Sequence, residues 1–359
     1  MRCAVFHDYF GAVGGGEKVA VAIAQTLGAD IITTDTGSLD RISSGLPVRS
    51  LGKTYRTPPL KQISATHLFS SCDFSDEYDL SIFSGNWAHH ASAKHHPNFW
   101  YCHTPVRAFY DLYETFLRRQ PFLQRQAFAL WTALYRRRDQ RAVTHVDRIM
   151  TNSQNTLGRI HRYYQRDADI VYPPIETSQF AFREYGDFWL SVNRLYPEKR
   201  IELQIETFRS LPEERLVIVG GYAEGDHADR YAHHLNNNLP ANVELAGEVP
   251  YSTLRSLYAE CKGFITTALD EDFGMTPLEA MASGKAVVAV REGGYMESVI
   301  NGETGFLVPA DVPSLVEAVL SVSQNPERFR DACISQSGLF DISVFEERLK
   351  TQIHTLGVS

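Results

Sequence analysis

The sequence contains no pair of cysteines at CxxC spacing. Its five cysteines, Cys3, Cys72, Cys102, Cys261 and Cys333, are scattered and odd in number. Neither a disulfide framework nor a cysteine zinc site is expected, and a reducing cytoplasm fits. No window holds the ~20 apolar residues that a membrane-spanning helix needs. The chain opens on Met1-Arg2-Cys3-Ala4-Val5-Phe6, which reads as a strand rather than as an apolar run before a cleavage site. No signal peptide is expected, and any membrane association should be peripheral. Basic charge is also scarce: 35 Lys and Arg stand against 43 Asp and Glu, for a net charge of -8. A nucleic-acid partner is not expected, because neutralising phosphates needs a basic surface, although a local basic patch is still allowed. There is no GxGxxG and no GxxxxGK[ST]. A dinucleotide-dependent dehydrogenase therefore loses its main support. Repeats at solenoid periods and low-complexity tracts are missing too.

What is present is a regular alternation. A chain of 359 residues exceeds what one core usually fills, so two domains are expected. Short apolar runs at 2–7, 30–34, 79–83, 98–102, 148–152 and 169–172 are separated by helical patterns. Tyr172-Pro173-Pro174-Ile175 then interrupts, since two prolines continue neither a helix nor a central strand. The alternation restarts with runs at 188–192, 216–219, 243–245, 263–267, 286–290 and 305–308. This is the pattern of two doubly wound α/β halves. Ligands of such sheets bind beyond the carboxyl ends of the strands. Two halves facing across a cleft would suit a reaction between two substrates. The chain closes on a helix with a capping-box pattern, Ser343-x-x-Glu346.

Four motifs fall at expected strand ends. Gly14-Gly15-Gly16-Glu17-Lys18 follows the first strand, where glycines allow close backbone approach and a helix start favours an anion. A flexible turn gives the same pattern. Tyr101-Cys102-His103-Thr104-Pro105-Val106-Arg107 places His103 at a sheet edge, as a ligand contact or as a structural hydrogen-bonder. Asn193-Arg194-Leu195-Tyr196-Pro197-Glu198-Lys199 offers two cations that could clamp a diphosphate, or merely a solvated basic loop. The most informative is Glu271-Asp272-Phe273-Gly274-Met275-Thr276-Pro277-Leu278-Glu279. Thr276 and Pro277 read there as N-cap and first helical residue, which puts Glu279 in the first turn. Carboxylates accept from paired sugar hydroxyls, and loop amides can face a phosphate or a sugar.

Residues 249–309 resemble the C-terminal signature of the family-four (group 1) GT-B glycosyltransferases. Glu-x7-Glu is followed by Ala280-Met281-Ala282-Ser283-Gly284, Val287-Val288-Ala289, Gly293-Gly294-x-x-Glu297 and Gly302-x-Thr304-Gly305-Phe306-Leu307-Val308-Pro309. The resemblance extends upstream through Arg194 and Lys199, Thr151-Asn152-Ser153, the proline linker and the glycine loop. It departs at Asn193, where the family commonly has Gly, and at Thr266-Thr267-Ala268-Leu269-Asp270 in place of a Pro-Ser. It implies a GT-B fold with an acceptor domain at 1–174, a nucleotide-sugar domain at 175–340 and a helix at 341–359 returning to the first domain. It also implies site roles. Glu279 would bind ribose hydroxyls. Glu271 would bind donor-sugar hydroxyls, with Phe273, Gly274 and Met275 beside it. Arg194 and Lys199 would hold the leaving diphosphate. Gly15 and Gly16 would line the site, and His103 would contact the sugar near its 6-position.

The resemblance further implies transfer with retention of configuration. No carboxylate stands out as a nucleophile, so stabilising the leaving diphosphate is the main expected task. The clamp is already cationic, and Asp270-Glu271-Asp272 belongs to the Glu-x7-Glu motif, which leaves no convincing Asp-x-Asp at a strand end, so neither a metal nor a cofactor is expected. The run His103-Thr104-Pro105-x-Arg107 with Tyr110-Asp111 is similar to O-antigen-type mannosyltransferases, which implies GDP-mannose as donor. A UDP-sugar donor and a non-catalytic sugar-nucleotide binder are the alternatives. Finally, Arg118, Arg119, Arg125, Arg136, Arg137, Arg138 and Arg141 share a stretch with Phe116, Leu117, Phe122, Leu123, Phe128, Leu130, Trp131 and Leu134. Such a segment docks on anionic lipid, or packs on a core with a solvated basic face. The first alternative implies the inner face of the plasma membrane and a lipid-linked saccharide acceptor.

Overall fold

The computed structural model describes residues 1–11, 14–39, 45–221, 231, 235–236 and 239–355. Contacts divide the chain into two compact units, residues 1–173 with 345–359, and residues 174–344.

The first unit is built on a parallel sheet in the order β3-β2-β1-β4-β5-β6-β7. Its strands are β1 (Cys3–His7), β2 (Asp30–Thr33), β3 (Val48–Ser50), β4 (Leu80–Ser84), β5 (Asn98–Cys102), β6 (Arg148–Thr151) and β7 (Asp169–Ile170). Every residue of β1, β4 and β5 is buried, as expected for strands covered by helices on both faces. The helices are α1 (Gly15–Leu27), α2 (Leu60–Ser71), α3 (Tyr113–Arg119), α4 (Phe122–Val143) and α5 (Gln154–Tyr164). The strand order reverses between β1 and β4. The loops after these strands therefore part and leave room for a ligand. β3 is absent from the sequence reading. It has three exposed residues with Arg49 in the middle, so no apolar pattern marks it.

The second unit has a parallel sheet in the order β10-β9-β8-β11-β12-β13. These strands are β8 (Phe188–Val192), β9 (Arg215–Val219), β10 (Val243–Gly247), β11 (Gly263–Thr266), β12 (Val287–Val290) and β13 (Gly305–Val308). The helices described between and after them are α6 (Ile201–Arg209), α7 (Tyr251–Glu260), α8 (Met275–Ala282), α9 (Tyr295–Ser298), α10 (Val312–Gln324), α11 (Arg330–Gly338) and α12 (Ile342–His354). Here the order reverses between β8 and β11, which puts the loops carrying Arg194, Lys199 and Glu271 at the switch point.

Two helix starts differ from the sequence reading. α8 begins at Met275 with Gly274 as its N-cap, so Pro277 is the third helical residue rather than the first. Proline is tolerated there because the first four amides of a helix have no intrahelical acceptor. Glu279 consequently falls in the second turn. At α12 the Asp341 carboxylate accepts from the Ser343 amide (3.0 Å) and the Ser343 hydroxyl (2.7 Å), so Asp341 supplies the cap expected of Ser343.

Of the two alternatives of the sequence reading, the segment α3–α4 shows core packing, with an exposed face that carries apolar as well as basic residues. One face of α4 buries Thr132, Tyr135, Asp139 and Val143. Trp131 joins them, in edge contact with Phe109 and tilted against Tyr135. The opposite face leaves Phe122, Leu123, Leu130 and Leu134 exposed.

Candidate active site

In the second unit the loops after β8 and β11 are stitched together. The Thr267 hydroxyl donates toward the carbonyls of Lys199 (2.9 Å) and Arg200 (3.0 Å), and receives the Gln204 side-chain amide at 2.9 Å. The Leu269 amide donates to the Glu198 carbonyl at 2.7 Å. Arg200 adopts φ +49° and fans across the junction. It donates to the carbonyls of Thr267 (2.6 Å) and Ala268 (3.2 Å) and, through two nitrogens, to the Glu292 carboxylate (3.1 and 2.8 Å). Glu292 also accepts from the Asp270 amide at 3.2 Å. Arg200 and Glu292 are absent from the sequence reading. The Arg that follows Lys199 and the Glu that precedes Gly293-Gly294 are the only signals, and nothing in sequence joins positions 92 apart.

This junction brings Lys199 and Glu271 together. The Lys199 ammonium donates to the Glu271 carboxylate at 2.5 Å, with both side chains about a quarter exposed or less. The sequence reading gave one to phosphate and the other to sugar; the structure makes them a pair. Arg194 lies on the same loop, exposed. A cavity of about 300 Å³ opens beside it, lined by Leu195, Gly220, Gly221, Leu245 and Gly247 at the ends of β8, β9 and β10.

The loop carrying Phe273, Gly274 and Met275 rests on the Gly293-Gly294 pair. The Gly294 amide donates to the Glu271 carbonyl at 2.8 Å. A methyl group on Gly293 would lie 2.6 Å from the Glu271 nitrogen, and one on Gly294 would lie 2.7 Å from the Phe273 carbonyl oxygen. Side chains are thus excluded where two backbones touch. Gly274 turns the chain into α8 with φ +89°, and a methyl there would meet the Tyr295 ring at 2.6 Å. Tyr295 is itself fixed by a 2.7 Å hydrogen bond to Thr266. No side chain caps α8, so the amides of Met275 and Thr276 remain for an anion or a sugar hydroxyl. Glu279 is only 5% exposed, and one of its oxygens accepts from the buried Tyr258 hydroxyl at 2.9 Å.

In the first unit, Gly15 and Gly16 open α1, and His103 follows β5. A methyl on Gly16 would sit 3.8 Å from the His103 ring, so these residues share one locale at the sheet edge. The His103 carbonyl accepts from Asn152 (2.8 Å) and Thr156 (3.3 Å), which ties its loop to the Thr151-Asn152-Ser153 segment. His103 Nε2 lies 2.9 Å from the Ser84 hydroxyl, which lies 3.2 Å from His7 Nδ1. The three residues stand at the ends of adjacent strands. Burial lowers His103 to about 4, and burial together with His103 lowers His7 to about 3, so both rings are neutral near pH 7. The neighbouring run is used internally. Arg107 pairs with Asp111 at 2.8 Å, and the Tyr110 hydroxyl donates to Asp139 at 2.6 Å.

One further group of metal-ligand residue types occurs among the described residues: His89, His90 and Asp139. The two imidazoles stack on each other at 4.6 Å, and His89 stacks on Trp100 at 4.4 Å. One candidate ligand atom from each of the three residues lies within 4.8 Å of the others. Asp139 meanwhile accepts from Tyr110 and Tyr164 (2.8 Å), so the group is a packed hydrogen-bonded cluster. None of the candidate site residues belongs to it.

The comparisons with known proteins agree with this arrangement. Residues 175–337 match the family described as glycosyl transferases group 1. An alpha-1,3/1,6-mannosyltransferase of Neurospora crassa is 30% identical over 259 residues, covering 59% of this chain and 53% of that protein. The human alpha-1,3/1,6-mannosyltransferase is 28% identical over 261 residues, covering 63% and 59%. The chain thus spans little more than half the length of these relatives. Among solved structures, HepE of Anabaena in complex with UDP superposes with a TM-score of 0.75 at 19% identity, covering 99% of this chain and 100% of that one. A sucrose-phosphate synthase from Thermosynechococcus elongatus reaches 0.80 at 16% identity, covering 99% of both. Residues 175–337 thus match the group 1 glycosyltransferases, the fold is GT-B, and over about half its length the chain resembles mannosyltransferases.

Proposed function

We propose that the protein transfers mannose from GDP-mannose to a saccharide acceptor with retention of anomeric configuration, in the synthesis of a cell-surface polysaccharide or glycolipid. The observation that carries this is the stitched junction of the β8 and β11 loops. It gathers Arg194, the Lys199–Glu271 pair and the α8 amides at one switch point. The resemblance to mannosyltransferases supports the sugar.

In this reading the cavity beside Leu195 takes the nucleotide base. Glu279 takes the ribose, and the α8 amides and Arg194 take the diphosphate. Substrate hydroxyls and phosphate insert at the Lys199–Glu271 pair, the cation turning to phosphate and the carboxylate to the sugar. The acceptor hydroxyl attacks the anomeric carbon as its bond to the β-phosphate oxygen breaks. The hydroxyl proton passes to that phosphate, and GDP leaves. Charge develops on the β-phosphate, where cations and amides act most strongly in a site shielded from water. In the first unit His103, neutral and fixed by Ser84, offers a hydrogen bond to a saccharide hydroxyl. The acceptor is a lipid-linked saccharide, and the chain works at the inner face of the plasma membrane. No metal is required, since the cations already serve the phosphate.

Radiolabelled GDP-mannose and UDP-glucose, each with candidate acceptors and excess chelator, test the reading. Transfer from GDP-mannose, with an α-linked product by NMR, is expected. Transfer from UDP-sugars alone would replace the donor. Binding without turnover on any acceptor would favour a sugar-nucleotide sensor. Loss in chelator with recovery on magnesium would overturn the metal-free mechanism.

A further inference from the structure

A helix on a globular unit ordinarily buries one stripe and hydrates the other. α4 does not follow this. Its buried stripe is Thr132, Tyr135, Asp139 and Val143. On its solvent side Leu123 is 88% exposed, Leu130 64% and Leu134 52%, with Phe122 at 80% beside them. Leu123, Leu130 and Leu134 stand seven and eleven residues apart, a spacing that lines up one helical face. The exposed residues around them are basic. Arg118, Arg119 and Arg125 lie near the apolar end, and Arg137, Arg138 and Arg141 continue the same side for more than a turn beyond Leu134. α4 holds a single carboxylate, Asp139, which is buried against His89 and two tyrosine hydroxyls. Glu114 on α3 and Asp147 shortly after α4 are the exposed acids close by in sequence. A chain of net charge -8 therefore concentrates six exposed arginines around four exposed large apolar side chains.

We infer that this face of α3–α4 docks on an anionic lipid bilayer. Apolar side chains enter the headgroup boundary, and arginines bind lipid phosphates while their stems stay apolar. The charge identifies the occupant. A symmetric contact with a second copy would set arginines against arginines, whereas an anionic leaflet offers the opposite charge over the whole face. No described helix is long and apolar enough to cross a membrane, so α4 lies on the surface. α3 begins ten residues after His103, which places the docking face in the unit that carries that histidine. The use of this face in presenting a lipid-linked acceptor rests on the function proposed above; the docking does not.

Flotation of the whole protein with phosphatidylcholine vesicles, with and without phosphatidylglycerol, provides the test. Binding only to the anionic vesicles, lost at high salt, is expected. Leu130→Ser with Leu134→Ser, and separately Arg137→Glu with Arg138→Glu, should each weaken binding by about tenfold or more. Thermal midpoint should change little and transfer to a soluble acceptor not at all, because these side chains lie outside the site and only Arg138 meets a buried ring, that of Tyr135 at 5.6 Å. Equal binding to neutral vesicles, or no binding at low salt, would overturn the inference. Self-association that those substitutions abolish, without vesicle binding, would assign the face to a second copy. Vesicle binding by a protein that transfers no sugar would keep the docking and remove the proposed reaction.

Discussion

Glu279 shows how a residue can be legible in position and not in state. The Glu-x7-Glu spacing marks it in the sequence. Its partner Tyr258 is 21 residues upstream on another helix, and only the fold reveals a carboxylate 5% exposed. Two effects must then be separated. Glu279→Gln keeps the shape and a hydrogen bond, so it should raise donor KM with little loss of thermal midpoint. Glu279→Ala leaves the Tyr258 hydroxyl buried without its acceptor, and should also cost about 1–3 kcal/mol of stability. Equal donor KM in the Gln variant and the native protein would remove Glu279 from the site. The histidines give a prediction in pH. His7, His103 and His90 are all lowered by burial, so the unfolded chain binds protons that the folded one refuses below about pH 6.5. Asp8 acts in the opposite sense, raised by burial to about 6 although three backbone amides donate to it. His95 is lowered by burial as well, so unfolding takes up about two to three protons and stability falls by up to about 2.7–4 kcal/mol per pH unit as pH drops from 6 to 4. Denaturant titrations across that window measure it. A flat response would mean that the rings open to water in the folded state.

At the scale of elements, the buried parallel strands are the readable part. Runs such as Phe188-Trp189-Leu190-Ser191-Val192 announce themselves because both faces must be apolar. β3 does not, being exposed and three residues long. The start of α8 lies two residues before the one read from sequence, because Thr276-Pro277 is a strong local signal while the turn at Gly274 is set by the Tyr295 ring. The loops at the switch point are held by side chains from distant elements, and Arg200 is the main one. Arg200→Ala removes its hydrogen bonds to both loops and leaves Glu292 partly buried without its guanidinium, with the Asp270 amide still donating to it. A loss of about 2–4 kcal/mol is expected, together with a drop in kcat as Lys199 and Glu271 lose their relative placement. Native-like melting with native kcat would show that the junction holds without it. Gly294→Ala should act on the same junction by pushing Phe273 away. Reduced midpoint together with reduced donor binding is the expected signature, measured by thermal shift with and without GDP. At about 100 times its dissociation constant, GDP should stabilise the native second unit by ~2.7 kcal/mol.

At the scale of the whole molecule, the two units differ in how the chain builds them. The second, residues 174–344, is one continuous stretch. The first is closed by α12, whose Phe345, Leu349 and Ile353 are buried. Arg348 of α12 covers the Tyr172 ring, and Arg148 at the start of β6 binds Gln352 and Thr355. Removing residues 345–359 should therefore lower the melting of the first unit and spare GDP binding by the second. Hydrogen exchange that rose equally in both units would contradict this. The same arrangement has a consequence in time. As the chain leaves the ribosome, β1 to β7 emerge before the second unit but cannot finish packing, because the helix that closes their unit follows that second unit in the chain. The unit begun first is completed last. The continuous second unit can fold while the first is still waiting, reversing the usual order in which a nascent chain settles its domains.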